Sequence, residues 1–308
     1  DLPFDEDLCS QGRNFSNKIW NALRLVKGWD VEDKAQDEAA ASAINWFEHK
    51  MRETLHSLED SFSKYRISEA LMTSYKFVWD DFCSWYLEAV KPAFGEAIDR
   101  KTYEQTVAYF EQISVLLHPF MPFITEEIWH QLADRKEGET LCLQSWPELK
   151  ETDKSILADF DQAAAVVNGV RNIRTSKNIS YKDQLELIAT STDAIPKAFE
   201  TLISKMCNLS QITIGENGNI DGANFTFLAG NYEMIIPAGN NIDVEAELEK
   251  LRKDLEYQQG FLKSVQKKLS NERFVTGAPD AVVNAEKQKQ ADAEAKIKAL
   301  EERLTALS

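Results

Sequence analysis

The last 66 residues of the chain, 243–308, contain two heptad runs separated by a short break. In the first run, steps of four and three residues alternate through Val244, Leu248, Leu251, Leu255, Gln258, Leu262, Val265 and Leu269. A second run with the same steps extends from Val283 to Leu307. Such spacing places one side of each helix in a coiled-coil seam. Because Gly277 and Pro279 in the break disfavour a continuous helix, the pattern predicts an antiparallel coiled-coil hairpin.

The predicted hairpin differs in charge from the rest of the chain. The whole chain has a formal net charge of −16, whereas residues 243–308 hold 12 Lys and Arg against 13 Asp and Glu. Near the break, four cations accompany an aromatic ring: Lys263, Lys267, Lys268, Arg273 and Phe274. Cations neutralise phosphates and an aromatic ring stacks on a base, so this cluster favours a nucleic-acid contact. A solvated coiled-coil surface, with Phe274 packed against the turn, is the alternative.

Length and composition favour a globular protein of two or three domains. The 308 residues are 43% hydrophobic, which is enough for a sizeable core. No apolar run is long enough to span a bilayer, and the N-terminal sequence lacks a signal-peptide pattern, so we expect a cytoplasmic protein. The four cysteines are widely spaced without a CxxC pair, which favours free, buried thiols in a reducing cytoplasm over disulfides or a zinc site. Since the chain opens without Met, we expect a fragment or a processed protein.

Residues 1–150 show helical periodicity and predict a helical bundle. In the first predicted helix, over 12–28, apolar side chains share one side, and four polar side chains form the opposite ridge: Arg13, Asn17, Asn21 and Arg24. Guanidinium and amide groups suit contacts with phosphates and with the edges of unpaired bases. The alternative is that these side chains hydrogen-bond to neighbouring helices or to a part of the protein outside this chain. The aromatic residues between Tyr75 and Tyr86 follow helical spacing, and we expect them in the core of the bundle.

Residues 151–242 differ in character and predict a small α+β domain, because helical segments alternate there with short β-type runs separated by Gly and Asn. Arg171, Arg174 and Lys177 recur at three-residue spacing, and no acidic residue occurs from 162 to 182. We expect this basic patch to bind nucleic acid; the alternative is that its cations complement the C-terminal end of a helix. The chain as a whole is therefore predicted to be mainly α, with a coiled-coil arm over 243–308.

Four segments resemble the valyl-tRNA synthetase family of class I aminoacyl-tRNA synthetases. Residues 12–24 are similar to the first helix of its anticodon-binding domain, and 79–88 and 117–129 are similar to later segments of that helical bundle. The stretch 269–275, between the heptad runs, resembles the C-terminal coiled-coil arm that marks this family. The isoleucyl and leucyl enzymes lack this arm, and the chain has no cysteine-paired zinc element, so an isoleucyl-type enzyme is the less favoured alternative.

The resemblance implies that the whole enzyme attaches valine to its tRNA, using ATP with magnesium, and hydrolyses mischarged threonine at a separate editing site. The catalytic His-Ile-Gly-His and Lys-Met-Ser-Lys-Ser elements of class I enzymes have no counterpart in this sequence. The resemblance therefore implies a chain without a catalytic site, a metal or a cofactor of its own. Its partners would be valine tRNA and the catalytic and editing domains of the same protein.

The resemblance also assigns the candidate site residues to two parts of the tRNA. The anticodon region would be contacted by Arg13, Asn17, Asn21, Arg24, Arg171, Arg174 and Lys177. The outer corner of the tRNA, where the D and T loops meet, would be contacted by Lys263, Lys267, Lys268, Arg273 and Phe274. An intramolecular hairpin predicts a monomer, whereas a coiled-coil scaffold protein, the remaining alternative, would dimerise.

Overall fold

A computed structural model describes residues 6–215, 224–237 and 244–270, together with 284, 286–290, 293–294 and 297. The chain falls into two compact units, one formed by residues 1–218 with 226–236 and the other by residues 219–225 with 237–308. The predicted helical bundle and α+β region both belong to the first unit, and the heptad runs belong to the second. The three predicted domains, 1–150, 151–242 and 243–308, stay a prediction, because compactness alone does not divide the first unit further.

Helices make up the N-terminal part of the first unit. They are α1 (Glu6–Lys27), α2 (Glu38–Ser63), α3 (Ile67–Lys76), α4 (Leu87–Val90), α5 (Arg100–Leu117) and α6 (Pro122–Leu132). Side-chain caps fix two helix starts, because Asp37 accepts a hydrogen bond from the Ala39 N–H at the start of α2 and Asp99 caps α5 in the same way. Two short strands, β1 (Val31–Glu32) and β2 (Ile98–Asp99), pair in parallel between these helices. The prediction that this region is helical is confirmed.

A π-helix of ten residues, Phe77–Tyr86, joins α3 to α4, where the sequence pattern predicts one uninterrupted α-helix. Its aromatic residues Phe77, Phe82 and Tyr86 are buried. The ring of Phe47 on α2 lies within 5.6 Å, centroid to centroid, of all three rings. These aromatic side chains therefore form the centre of the helical core, as their spacing predicts.

A small α+β layer completes the first unit. Its elements are α7 (Lys154–Ser176), β3 (Leu185–Ala189), α8 (Glu200–Cys207), β4 (Leu209–Ile214), β5 (Asn224–Ala229) and β6 (Tyr232–Pro237). The strand order is β4-β3-β6-β5, with β3 parallel to β4 and antiparallel to β6. Helix α8 connects the parallel pair, since a parallel pair needs a crossover between its strands. The predicted α+β character of this region is confirmed.

Helix α2 lies at the centre of the first unit, because it contacts α3 and α5 on the bundle side and α7 and α8 on the other. The first turns of α2 bury three alanines, Ala39, Ala40 and Ala43. Their small side chains allow the neighbouring helices to approach closely. The helical bundle and the α+β layer consequently share one packed core.

Helix α9 (Val244–Leu269) contains the first heptad run. Among its seam residues Val265 is buried, and in the second run Glu286 and Ala293 are buried. The Nζ atom of Lys268 lies 3.9 Å from Oε1 of Glu286, so the two runs contact each other near the predicted seam. Apart from Ser270, the break between the two runs lies outside the described residues, and the antiparallel hairpin therefore stays a prediction.

Two further predictions from the sequence concern membrane-spanning segments and the state of the cysteines. In the described ranges, no helix is both long enough and apolar enough to cross a membrane. All four cysteines are free thiols, as predicted, but the prediction that they are buried is correct for Cys207 and wrong for Cys9 and Cys142, which are exposed. Burial raises the pKa of the Cys207 thiol to about 12, which keeps this sulfur protonated and unreactive at neutral pH.

Candidate nucleic-acid interface

The α1 ridge, defined as Arg13, Asn17, Asn21 and Arg24, lies on the solvent-exposed side of its helix. The opposite side of α1 is anchored in the core by Phe15, Ile19, Leu23 and Val26, of which none is more than 5% exposed. This division follows from the 3.6-residue period, which separates the two sets of side chains around the helix axis. The structure thus brings the four predicted ridge residues together on one surface.

The ridge side chains are available to a ligand. No side chain of the ridge forms a hydrogen bond or an ion pair with any other residue that the structure describes. The alternative that Asn17 and Asn21 bond to neighbouring helices therefore finds no support in the described ranges. Two guanidinium groups and two amides along about three turns of helix supply donors for phosphates, and the amides also supply acceptors for base edges.

Arg174, by contrast, is only 6% exposed. Its Nη1 atom donates to the Ser180 carbonyl at 2.7 Å, and its Nη2 atom donates to the carbonyls of Asp183 at 2.9 Å and Cys207 at 2.8 Å. Burial lowers the pKa of Arg174 from its ordinary value, yet a guanidinium keeps its proton at physiological pH. The expectation that Arg174 contacts an RNA is corrected by this burial, because backbone carbonyls occupy the donors of Nη1 and Nη2 and its Nε is buried.

The other two members of the basic patch, Arg171 and Lys177, point in different directions from each other. In an α-helix each residue advances by about 100°, so side chains six residues apart differ by about 120° around the axis. Arg171 is half-buried, and its guanidinium lies 5.3 Å from the centre of the Trp85 ring. Lys177 is the C-cap residue of α7, where its backbone N–H donates to the Ile173 carbonyl. The three-residue spacing therefore does not make one continuous basic surface.

The predicted arm residues are described only in part. Lys263, Lys267 and Lys268 are exposed on α9, and Lys268 lies near Glu286. Lys263 and Lys267 have no ion pair with any other described residue. Arg273 and Phe274 lie outside the described residues. Lys263 and Lys267, four residues apart on the same side of the helix, accordingly form an exposed positive strip on the C-terminal half of α9, and Lys268 lies about 100° further around the axis.

Two aromatic residues on α9 were missed by the sequence analysis. Tyr257 is 71% exposed and Phe261 is 39% exposed, and residues four apart lie on the same side of a helix. Both occur at heptad positions outside the seam, where aromatic side chains gain little from coiled-coil packing. An aromatic residue at a heptad position outside the seam is therefore the sequence signal by which Tyr257 and Phe261 could have been included among the candidate residues of the arm.

A metal centre is absent from the part of the chain that the structure describes, since no three His, Cys, Asp or Glu side chains there are placed to hold an ion. Glu126 on α6 illustrates how acidic residues are used instead. Its carboxylate accepts hydrogen bonds from the Leu141 N–H at 3.1 Å and pairs with His130 Nε2 at 3.2 Å. The pKa of Glu126 is lowered, since its hydrogen bonds and His130 outweigh the opposing effect of desolvation.

Two models of known families match parts of the chain. A model of the anticodon-binding domain of tRNA ligases matches residues 45–189. A model of the valyl-tRNA synthetase tRNA-binding arm matches residues 243–308. These two matched ranges include the basic patch and the lysines of α9, while the α1 ridge precedes the first range.

Individual relatives align with the whole chain. It is 52% identical over 309 residues to a valine–tRNA ligase of Christiangramia forsetii and 53% identical over 309 residues to one of Parabacteroides distasonis. A valine–tRNA ligase of Bacillus licheniformis is 37% identical over 320 residues. Each alignment covers all of this chain but only 35% or 36% of the relative. The chain therefore spans about a third of the length of the relatives it matches.

Proposed function

The chain belongs to the valine–tRNA ligase family over its whole length, and from this premise we propose that it binds valine tRNA at two places. The α1 ridge contacts the anticodon region, and the lysines of α9 contact the outer corner of the L-shaped molecule. The exposed ridge is the observation that carries this proposal. Four exposed polar side chains without hydrogen-bond or ion-pair partners among the described residues, in a chain of net charge −16, support the binding of an external polyanion.

The two surfaces have different tasks in this proposal. The ridge offers bidentate guanidinium groups and amides, which suit the edges and phosphates of unpaired anticodon bases. The lysines of α9 are point charges that neutralise phosphates without regard to sequence. Specificity for valine tRNA therefore comes from α1, and sequence-independent affinity comes from the arm.

Within the whole enzyme the chemistry belongs to other domains. The relatives are valine–tRNA ligases, so the proposed overall reaction is the attachment of valine to its tRNA, with ATP and magnesium, and with editing of mischarged threonine. The chain described here supplies recognition and no catalytic group. It acts as a monomer in the cytoplasm and joins the catalytic and editing domains of the same protein.

The test is a titration of the 308-residue chain with valine tRNA, with the same tRNA carrying a swapped anticodon, and with a bare RNA hairpin. Each titration is done at two salt concentrations. A lower Kd for the valine anticodon supports recognition by the ridge, and equal salt-sensitive binding of both tRNAs leaves only the arm. No binding to any of the three RNAs contradicts the proposal, and concentration-dependent dimerisation in light scattering would then favour a coiled-coil scaffold.

A variant series assigns the preference to the ridge. Arg13→Ala removes one guanidinium, and Arg13→Lys keeps the charge but loses the planar fork. Both changes should reduce the preference for valine tRNA over the swapped tRNA, and the alanine should reduce it more. Arg66→Ala is the matched control, because Arg66 is an exposed arginine away from the ridge that pairs with Glu69. If Arg13→Ala lowers the affinity for both tRNAs equally, Arg13 positions the RNA and does not read the anticodon.

A further inference from the structure

A cleft of about 580 Å³ lies in the first unit, between the end of α4, the end of α7 and the end of α8. None of the ridge residues lines it. Its volume lies in the range of small-ligand sites in proteins. Its lining combines two exposed aromatic rings with three cations: Phe94, Tyr181, Lys91, Arg171 and Lys205.

The first wall of the cleft is a tight turn after α4. The helix ends at Val90, and Pro92 prevents its continuation. The Glu96 N–H donates to the Ala93 carbonyl at 3.0 Å, and Gly95 has a φ of +83°, a conformation that glycine adopts at no steric cost. This turn holds Phe94 with its ring fully exposed. Exposure of such apolar surface to water is unfavourable in free energy.

The second wall is fixed by buried Arg174. Its guanidinium bonds the carbonyls of Ser180, Asp183 and Cys207, and so it ties the segment after α7 to the end of α8. The Tyr181 hydroxyl donates to the Met206 carbonyl at 3.2 Å, and the Asn208 amide donates to the Tyr181 carbonyl at 2.8 Å. Tyr181 is thus rigidly placed on the rim, with more than half of its surface exposed.

Three cations give the cleft its charge. Arg171 lies against the Trp85 ring and has no carboxylate partner among the described residues. Lys91 pairs with Glu88 at 2.5 Å, and Lys205 pairs with Asp37 at 2.8 Å. Since Glu88 and Asp37 each compensate one lysine, Arg171 is the cation that leaves the cleft with a small positive charge in a strongly acidic chain. Such local charge complements an anion.

We propose that this cleft binds one unpaired nucleotide of the bound RNA, with its base stacked on Phe94 and its phosphate held by Lys91, Arg171 and Lys205. An exposed ring beside cations is the arrangement by which proteins bind single-stranded nucleotides. The inference rests on the proposed tRNA-binding function and adds a third contact to the ridge and the arm. A free mononucleotide has the same chemistry, and the test distinguishes it from RNA.

The experiment measures the Kd of the 308-residue chain for valine tRNA and for adenosine monophosphate in three variants. Phe94→Ala removes the ring, Phe94→Trp keeps an aromatic surface, and Phe123→Ala removes another exposed phenylalanine, on α6 and away from the cleft. Base stacking on an aromatic side chain corresponds to a change of about 5- to 150-fold in Kd. We expect a loss of that size for tRNA in Phe94→Ala, with near wild-type binding in the other two variants.

Chemical probing of the bound tRNA provides the second readout. Wild-type protein should protect one unpaired nucleotide that Phe94→Ala leaves reactive, while protection elsewhere is unchanged. Arg171→Gln and Lys91→Gln should each flatten the dependence of log Kd on log salt by about 0.7, the value for one phosphate contact on a single strand. Equal tRNA affinity of Phe94→Ala and Phe123→Ala, with identical protection patterns, would overturn the inference.

The outcomes separate this inference from the function it rests on. If the wild-type chain binds no tRNA, the proposed function fails and the nucleotide site fails with it. If the wild-type chain binds tRNA and Phe94→Ala binds equally well, only the nucleotide site is refuted. Binding of adenosine monophosphate that depends on Phe94, together with unchanged tRNA binding, would show a free-nucleotide site and refute the RNA contact.

Discussion

The indole ring of Trp46 stacks on the phenyl ring of Phe160, with centroids 3.6 Å apart and planes 12° from parallel. Trp46 belongs to α2 in the helical bundle, and Phe160 belongs to α7 in the α+β layer. Trp85 and Phe199 pack edge-on against the same Phe160 ring. The stack therefore joins the helical bundle to the α+β layer through buried aromatic surface. The relative position of these two parts of the first unit depends on it.

Truncation of either ring should destabilise the first unit strongly. Trp46→Ala and Phe160→Ala each leave a large cavity, and such changes lower the free energy of unfolding by about 3–5 kcal/mol. The double variant should lose less than the sum, because the pair interaction is worth about 0.5–1.5 kcal/mol. Urea unfolding followed by circular dichroism measures both quantities. Phe123→Ala, which truncates an exposed ring, should change the stability by less than about 0.5 kcal/mol.

Gly169 is required by the contact between α7 and the sheet. A Cβ atom at position 169 would lie 2.0 Å from an atom of the Phe227 ring, so one of the two elements must move. We expect Gly169→Ala to lower the free energy of unfolding by about 1–3 kcal/mol, as overpacked cores do. At Gly12 on α1 a Cβ atom meets nothing within 4 Å, and Gly12→Ala should raise stability by up to about 1 kcal/mol. Equal changes in melting temperature for Gly169→Ala and Gly12→Ala would contradict this prediction.

The sequence predicts the elements of the first unit well because their periodicity is strong. Helix α5 begins and ends at Arg100 and Leu117, and the α1 ridge follows directly from the spacing of its apolar residues. The π-helix Phe77–Tyr86 is not foreseeable from a 3.6-residue period, because its bonding pattern depends on aromatic packing against α2 and α5. Tertiary contacts thus decide the backbone where the local pattern permits two helix types.

The candidate site is predicted less completely, for two physical reasons. Arg171 and Arg174 are adjacent in the pattern, yet only packing decides that Arg174 is buried under the segment after α7. Phe94 and Tyr181 are far apart in sequence, and the fold alone brings them to one cleft. Periodicity along one helix therefore reveals the ridge, whereas a site assembled from the ends of three helices and the loops after them has no periodic signal.

Arg174 should contribute to stability through its backbone contacts. Arg174→Met removes donors that hold three carbonyl groups, and buried acceptors left without donors are costly. We expect the free energy of unfolding to fall by about 2–4 kcal/mol. Arg171→Met is the matched control on the same helix, and it should cost about 0.5–1 kcal/mol through the lost contact with Trp85. Similar losses of unfolding free energy for the two variants in urea would show that the hydrogen bonds from Arg174 to the backbone do not contribute to stability.

Asp81 should make the stability depend on pH. Desolvation, opposed by Lys50 and reinforced by Asp80, Glu53 and Asp161, raises the pKa of Asp81 from 3.8 to about 6. Between these values the folded chain retains the proton and the unfolded chain has released it, so the free energy of unfolding falls as pH rises from about 4 to 6. Asp81→Asn should flatten this slope and raise stability at pH 7 by about 1–3 kcal/mol.

The control for this pH effect is Asp80→Asn, which changes the neighbouring exposed carboxylate. Because desolvation is the largest cause of the raised pKa of Asp81 and Asp80 adds a smaller one, we expect Asp80→Asn to reduce the slope between pH 4 and 6 only slightly and Asp81→Asn to reduce it strongly. Unfolding midpoints in urea at half-unit pH intervals measure both slopes. A slope that is unaffected by Asp81→Asn would assign the pH dependence to other groups.

The lysines of α9 should set the salt dependence of tRNA binding. Lys263 and Lys267 are exposed without an ion-pair partner among the described residues, so each is free to neutralise one phosphate. Each phosphate contact contributes about 0.9 to the slope of log Kd against log salt on B-form DNA and about 0.7 on single strands. Replacing both lysines by alanine should therefore flatten the slope by about 1–2 units for valine tRNA and for the anticodon-swapped tRNA alike.

Arg252→Ala is the control, because it removes an exposed cation nearer the start of the same helix. This variant should leave the slope unchanged if only the distal half of α9 contacts the RNA. A slope that stays constant in the double lysine variant would remove these residues from the interface, and a change limited to one of the two tRNAs would make their contact sequence-dependent.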